Sequence, residues 1–539
     1  MSKKYEEFPI SEELVREFIK INKEYWSDAK PNGKYIYLNF SMVRMQIGWI
    51  VPKLLYARGM AEKSGAQVIV LTWHDNALLS EFIESFGMIH ISLDKICNSN
   101  IFSMFKAAFK TIGFILSDGT GEGLKKLKSK SLGFNVGKPI YEDILRTSNV
   151  STVKSCKNKN ALKKIFHILW VLYALEKQCK KNPVICGITD DMAYHEGLFI
   201  KLFLSLGAKD YASSNIGETK VYLEKDGEVV RYYSLQRRKY RTIIDKLGDK
   251  EVEVSDKYLV DRFSGKNGNE IDKVAFAGKV LSREELSEKL GLDSKKKNII
   301  IMCHTFSDAV FAHRCDFYRD YYDWVENTLA IAENVTDVNW ILKPHPSRHI
   351  YNEAVDTIEA MYERHKKPHI SMLNDDVSTA SIKDIADVMV TIGGSAGCEF
   401  SCFGIPTVII GKPNYQGFGF TIEPKTKEDY EKQLREINSL GRLDEEQIKM
   451  AKKVFYLINN KDERIYGRND IEYDDEFSKG INDLYLGMNR AISKEYFVSN
   501  SGTNSYNEST LKYIIDFMNK NDLKETNYYK KGCQRGSEL

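Results

Sequence analysis

The chain has 539 residues, is 42% hydrophobic and 28% charged, and carries a formal net charge of +3. That length exceeds one hydrophobic core, so two to three domains are expected. The composition excludes global disorder, and the near-balanced charge gives no reason to expect nucleic acid as a partner.

In chain order, residues 12–25 have helical periodicity, and Pro31-Asn32-Gly33 reads as a turn. Residues 34–40 (KYIYLNF) alternate and read as a first strand. A helix over 47–64, a buried-type strand over 67–72 (QVIVLT), a helix over 77–86 and a strand over 88–92 follow. Alternating strands and helices at this spacing predict a parallel sheet. Residues 95–181 are mainly helical and basic. A strand over 184–188 (VICGI), a helix over 194–206 and a hairpin over 221–234, turning at Lys225-Asp226-Gly227, complete a first domain spanning 1–290.

The second domain, 291–445, reads more simply. Strands are predicted at 298–303, 339–343, 369–373, 387–391 and 406–411, with helices at 318–334, 350–366, 378–385 and 397–403. Each strand is a short apolar run without alternation, as expected when helices cover both faces. Residues 446–539 read as a helical extension whose last ~20 residues have few apolar anchors and are expected to fray. The expected architecture is α/β, with two Rossmann-like halves and a cleft between them, suited to transfer from a donor to an acceptor.

Chemistry-bearing residues gather at predicted strand ends. Ligands of open α/β sheets sit at the carboxyl ends of strands. Lys343-Pro344-His345-Pro346 follows one strand. The proline ends the ladder and presents the imidazole of His345 to a phosphate. Gly393-Gly394-Ser395-Ala396-Gly397 lies between another strand and a helix, where free N–H groups and the Ser395 hydroxyl suit an anion. No GxGxxG is present, so this is not a dinucleotide fingerprint. Glu399, one turn into that helix, is either a ribose acceptor or a first-turn acid favoured by the helix dipole. His304, Thr305 and Ser307 cap the first strand of the second domain and serve either a ligand or a helix N-cap. In the first domain, Asp190 and Asp191 follow a strand, with His195 and Glu196 close by. Asp143, in GKPIYED, is a second acceptor-side candidate. A carboxylate there would act as general base or nucleophile, and each is equally readable as a surface charge.

The nine cysteines are scattered without a CxxC pair and read as buried, reduced thiols. The His345/His349 and His365/His369 pairs have i, i+4 spacing, but no HExxH or matching carboxylate set accompanies them, so no metal or other cofactor is expected. The first residues carry charges throughout and lack an apolar signal core. No run reaches the ~18 uncharged apolar residues of a membrane span. The lysine-rich stretch 154–181 reads either as a solvated helix with one core face or as a helix lying on an anionic membrane. A cytoplasmic chain is expected, with a possible peripheral contact at the inner face of the membrane.

Four segments carry a family resemblance. They are His304-Thr305-Phe306-Ser307-Asp308, Asp320-Tyr321-Tyr322-Asp323-Trp324, Asn339–Lys343 with its Pro-His-Pro, and Gly404-Ile405-Pro406 continued by Pro413 to Pro424. Together they resemble bacterial surface-carbohydrate and capsular polysaccharide biosynthesis glycosyltransferases, most strongly over 300–425. The resemblance implies a GT-B fold and kinship with capsule transferases that use CMP-Kdo, in which a His-Pro motif and a Ser-containing motif bind the donor nucleotide. By position, His345 and Pro346 match the first motif and Ser395 the second, while Ala396 stands where a second hydroxyl is often found. With the residues read above from their strand-end positions, the expected donor-side set is Lys343, His345, Pro346, Gly394, Ser395, Ala396, Gly397, Glu399, His304, Thr305, Ser307, Tyr415 and Gly417. The implied partners are a nucleotide-sugar donor and a glycan or glycolipid acceptor.

Overall fold

A computed structural model describes residues 11–26, 32–40, 47–212, 219–266, 275–276, 278–346, 348, 355–459, 503–520 and 522–539. The chain divides into two compact units. One draws on Met1–Ile140, Ser155–Val230 and Arg468–Leu539, the other on Tyr141–Lys154 and Arg231–Gly467.

The first unit is built on β1 (Tyr35–Asn39), β2 (Gln67–Thr72), β3 (Ile89–Ser92), a short antiparallel pair of β4 (Lys128–Ser129) with β5 (Phe134–Asn135), then β6 (Val184–Thr189), β7 (Lys209–Ala212) and β8 (Thr219–Val221). The main sheet has the order β3-β2-β1-β6-β7-β8. Its first five strands are parallel, and β8 runs antiparallel to β7. Leu38 of β1 lies opposite Val70 and Ile188, so apolar side chains stack across the sheet at one level.

The second unit holds β9 (Asn298–Met302), β10 (Asn339–Lys343), β11 (Ile370–Met372), β12 (Val388–Thr391), β13 (Thr407–Ile409) and β14 (Thr421–Ile422). Their order is β11-β10-β9-β12-β13-β14, all parallel. Ile300 of β9 faces Ile341 and Met389, and all three are buried. In each sheet the chain builds outward from its first strand, then crosses to that strand's other side. This is the doubly wound Rossmann order, and it opens a crevice at the carboxyl ends of β9 and β12, and likewise of β1 and β6. Two such units are the composition of a GT-B chain.

Some expectations shift. Residues 141–154, read as part of the first domain, belong to the second unit. Buried Asp320 caps the helix Tyr321–Ala332 through the Asp323 N–H at 2.9 Å. Its other oxygen accepts from the hydroxyls of Tyr141 and, at 2.6 Å, Thr152. The domain boundary drawn at 290 falls instead at about residue 230. The helix Asp249–Phe263 packs in the second unit, with Ser255 Oγ donating to Lys452 O at 2.8 Å and the Phe263 ring against Phe400 and Phe403.

The hairpin turns at Gly227 as read, with Leu223 bridged to Val229, but the chain from Tyr232 is helical to Ile243. The predicted helix over 350–366 is described only as Ile358–His365, and residues 349–354 lie outside the described ones. The C-terminal segment, expected to fray, is the helix Asn527–Ser537, packed along the helix Ile47–Ser64. It is anchored by the buried Tyr529 ring, 5.8 Å from that of Trp26, and by close backbone approach at two glycines. A Cβ on Gly532 would strike Tyr56 O, and one on Gly536 would strike Met60 O, so glycine lets the two backbones meet.

Candidate functional site

The β9–β12 crevice of the second unit gathers most of the predicted donor-side residues. His304 follows β9. Its Nε2 lies 3.5 Å from the hydroxyl of Thr391, the last residue of β12, which in turn donates to Met302 O at 3.2 Å. Thr305 Oγ1 lies 3.2 Å from Nδ1 of His345, which follows β10. The strand order therefore brings together residues forty and more positions apart in sequence. Lys343, the last residue of β10, is buried, and that burial lowers its pKa, with Asp375 and Asp376 acting in the opposite direction.

A third ring, His313, was not singled out from the sequence. It lies 5.1 Å from the His304 ring and stacks on Tyr233 at 4.6 Å and 9°. It sits in an irregular loop with no periodicity to mark it. The loop carries two non-glycine residues at positive φ, Ala309 at 41° and Arg314 at 50°, a strained backbone of the kind that clusters at functional sites. Burial pushes the His313 ring down to about 4, and burial plus the neighbouring His313 and His345 pushes His304 well below the usual histidine range. Both rings are therefore neutral near pH 7, so each has one N–H to donate and one nitrogen to accept. Nδ1 of His313 is buried and finds no hydrogen-bond partner among the described residues.

The glycine segment divides its work. A Cβ on Gly393 would sit 3.0 Å from His313 Nδ1, and one on Gly397 would collide with the Tyr415 hydroxyl, which donates to Gly394 O at 2.7 Å. Gly393 and Gly397 are thus packing positions. Gly394 has only ordinary clearance to His304, at 3.5 Å from Cε1, and Ser395 is exposed. The Ser395 side chain makes no capping bond to the following helix, Ala396–Ser401, so its hydroxyl faces outward.

Four members of the predicted donor-side set have a polar group engaged or buried within the protein. Glu399 is buried in an ion pair with Arg262, at 2.9 Å from Nη2, rather than turned to a ribose. Tyr415 is 1% exposed and holds the glycine loop. The N–H of exposed Gly417 (φ 80°) donates to Glu423 at 2.7 Å. Ser307 is buried. His365 is engaged by Glu333 at 2.6 Å and Glu326 at 3.2 Å, and His369 by Ala332 O, so those two rings are committed to separate partners. His349 lies outside the described residues. No group of three or more metal-ligating side chains occurs among the described residues.

The first unit's β1–β6 crevice holds the other cluster. Asp190 is ion-paired with buried Lys53, while Asp191 is exposed, its Oδ1 accepting from Ala193 N at 2.9 Å. Tyr194 adopts φ 54°, and buried His195 contacts the Trp73 ring at 5.1 Å. Glu196, the first residue of the helix Glu196–Ser205, accepts from Nδ2 of Asn39 at the end of β1 at 2.6 Å. Asp143 is buried and belongs to the second unit, not to the domain to which the sequence assigned it.

Residues 269–445 match the family of capsule polysaccharide biosynthesis proteins, in agreement with the resemblance read from the motifs. No curated protein matches the chain. Among solved structures, it is similar to Thermosulfurimonas dismutans KpsC, a beta Kdo 2,4 transferase, at 11% identity and TM-score 0.31, over 52% of this chain and 80% of that one. A glycosyltransferase of Rickettsia africae is similar at 12% identity and TM-score 0.26, over 84% and 99%. The UDP complex of S. aureus MnaA is similar at 11% and 0.26, over 84% and 97%. The fold assignment rests on the two sheets themselves.

Proposed function

We propose that this chain is a glycosyltransferase of capsule or surface-polysaccharide biosynthesis, moving a sugar from a nucleotide donor to a glycan or glycolipid acceptor. The observation that carries the proposal is the convergence of His304, His313, His345, Thr391 and Ser395 at the β9–β12 switch point, inside the segment that matches capsule biosynthesis proteins. Neutral imidazole N–H groups and the Ser395 hydroxyl donate to the donor phosphate, and Lys343 supplies positive charge at the end of β10. These groups stabilise the leaving nucleotide as the glycosidic bond breaks. Pro346 fixes the turn that carries His345, and Gly394 leaves room for the phosphate. On the acceptor side, Asp191 is the assigned base, because Asp190 is neutralised by Lys53. The resemblance of the His-Pro and Ser motifs favours a CMP-sugar donor, with Kdo or a similar acidic sugar.

The test is donor turnover by the purified chain with CMP-, CDP-, UDP- and GDP-sugars, with and without glycan acceptors. Release of nucleotide with one donor class, lost in His345→Ala, is expected. Epimerised sugar without an acceptor would point to a nucleotide-sugar epimerase, and transfer of a polyol phosphate to a CDP-glycerol-type enzyme. No turnover with any donor would leave a non-catalytic assembly subunit.

A further inference from the structure

The helix Ile101–Ser117 in the first unit is built inside out. Its buried residues are Ser103, Ala107, Thr111 and Phe114, mostly small or polar, while Ile101, Phe102, Phe105, Phe109, Ile112 and Leu116 are 51–82% exposed. At 3.6 residues per turn the spacing of those six keeps them on one side of the helix. The inward face is chosen for close approach to the helix Lys159–Lys181, and the Thr111 hydroxyl is satisfied within its own helix, donating to Ala107 O at 2.8 Å. Six large apolar side chains more than half exposed on one side of one helix form a contiguous patch of the kind that marks an interaction surface.

The charge around this face selects its occupant. The helix itself carries Lys106 and Lys110 and no acid. Residues 101–130 and 155–181 together carry thirteen lysines against three acids. Of those acids, Glu176 lies 2.7 Å from Lys180 and 3.8 Å from Lys106, and Asp118 is turned to the Thr120 N–H at 2.9 Å. Lys106 also lies over the Tyr173 ring at 4.2 Å, and Lys157 packs beside Gly119 at the helix's end. A second copy would bring like charges against one another. An anionic bilayer offers acyl chains to the rings and headgroup phosphates to the lysines. No helix among the described residues is long and apolar enough to cross a membrane. We propose that the 101–117 helix lies in the plane of an anionic membrane with its Phe/Ile/Leu face in the acyl boundary, docking the first unit. This proposal stands apart from the transferase reading, because vesicle binding needs no donor.

The experiment is flotation of the full chain with vesicles of phosphatidylcholine alone and of phosphatidylcholine with phosphatidylglycerol. The comparison is a Phe102→Ser/Phe109→Ser/Leu116→Ser variant, whose changes are exposed and whose melting temperature should match the parent. Light scattering gives the mass of both proteins. Expected are binding to the phosphatidylglycerol vesicles, weakened by salt, and at least a tenfold loss in the variant. Failure to bind those vesicles, equal binding by the variant, or a dimer of the parent that the variant converts to monomer would each overturn the proposal.

Discussion

Asp210 stands on β7 opposite Gly187, fully buried. Its Oδ2 accepts from Thr189 at 3.3 Å, and its Oδ1 meets no donor among the described residues. Burial pushes its carboxyl from the ordinary 3.8 up to about 8. The folded state therefore holds a proton that the unfolded chain releases above about pH 4. Stability contributed by this group falls as pH rises from about 4 to 8 and levels off beyond, where both states are ionised. Asp210→Asn should flatten that part of the stability–pH curve and gain most at pH 8. Urea unfolding at pH 5 and pH 8 measures this, and an unchanged slope would show that Asp210 is ionised in the fold. His304 and His313 have the opposite sign. The depressed value of His313 makes stability fall as pH drops from about 6.5 toward 4, and the lowered His304 acts in the same direction, which keeps the two effects separable at pH 8.

At the scale of elements, the loop between β12 and the helix Ala396–Ser401 is held by one tyrosine. The Tyr415 hydroxyl occupies the space that a Gly397 side chain would need. Gly397→Ala should destabilise the chain by about 1–3 kcal/mol through overpacking. Adding Tyr415→Phe removes the clashing oxygen and should recover part of that loss, a non-additive pair readable by thermal melts. Equal losses that simply add would contradict this packing.

The same loop shows what was legible in the sequence. The parallel strands were readable because β2, β9 and β10 are short runs without alternation, and the loops bearing His304, His345 and Gly394 follow strand ends directly. The short strands β7, β8 and β14 were not, because two to four residues with polar members carry no period. His313 was not legible either, since it reaches the crevice through an irregular, strained loop. Glu399 and Tyr415 sit in the right motif, but only packing shows that Arg262 and Gly394 O claim them. The C-terminal helix was misread because a buried tyrosine and two glycines at a helix contact are too few to leave an apolar period.

For the whole molecule, two sheets of order 3-2-1-4-5-6 give two switch points, with different equipment at each. The first unit's crevice carries exposed Asp191 and the Asp190–Lys53 pair; the second carries neutral imidazoles, hydroxyls and a buried lysine. On the proposed function, phosphate recognition falls to the hydrogen-bond donors and acid–base work to the carboxylate, so donor affinity should depend on one crevice only. The direct test is calorimetric titration of CMP, CDP, UDP and GDP into the native chain, His345→Ala and Asp191→Ala. The expected result is selective binding of one nucleotide, weakened about tenfold or more by His345→Ala, in line with loss of a hydrogen bond to a charged group, and changed less than about twofold by Asp191→Ala. Binding that survives His345→Ala and is lost in Asp191→Ala would contradict the assignment of the donor to the second unit.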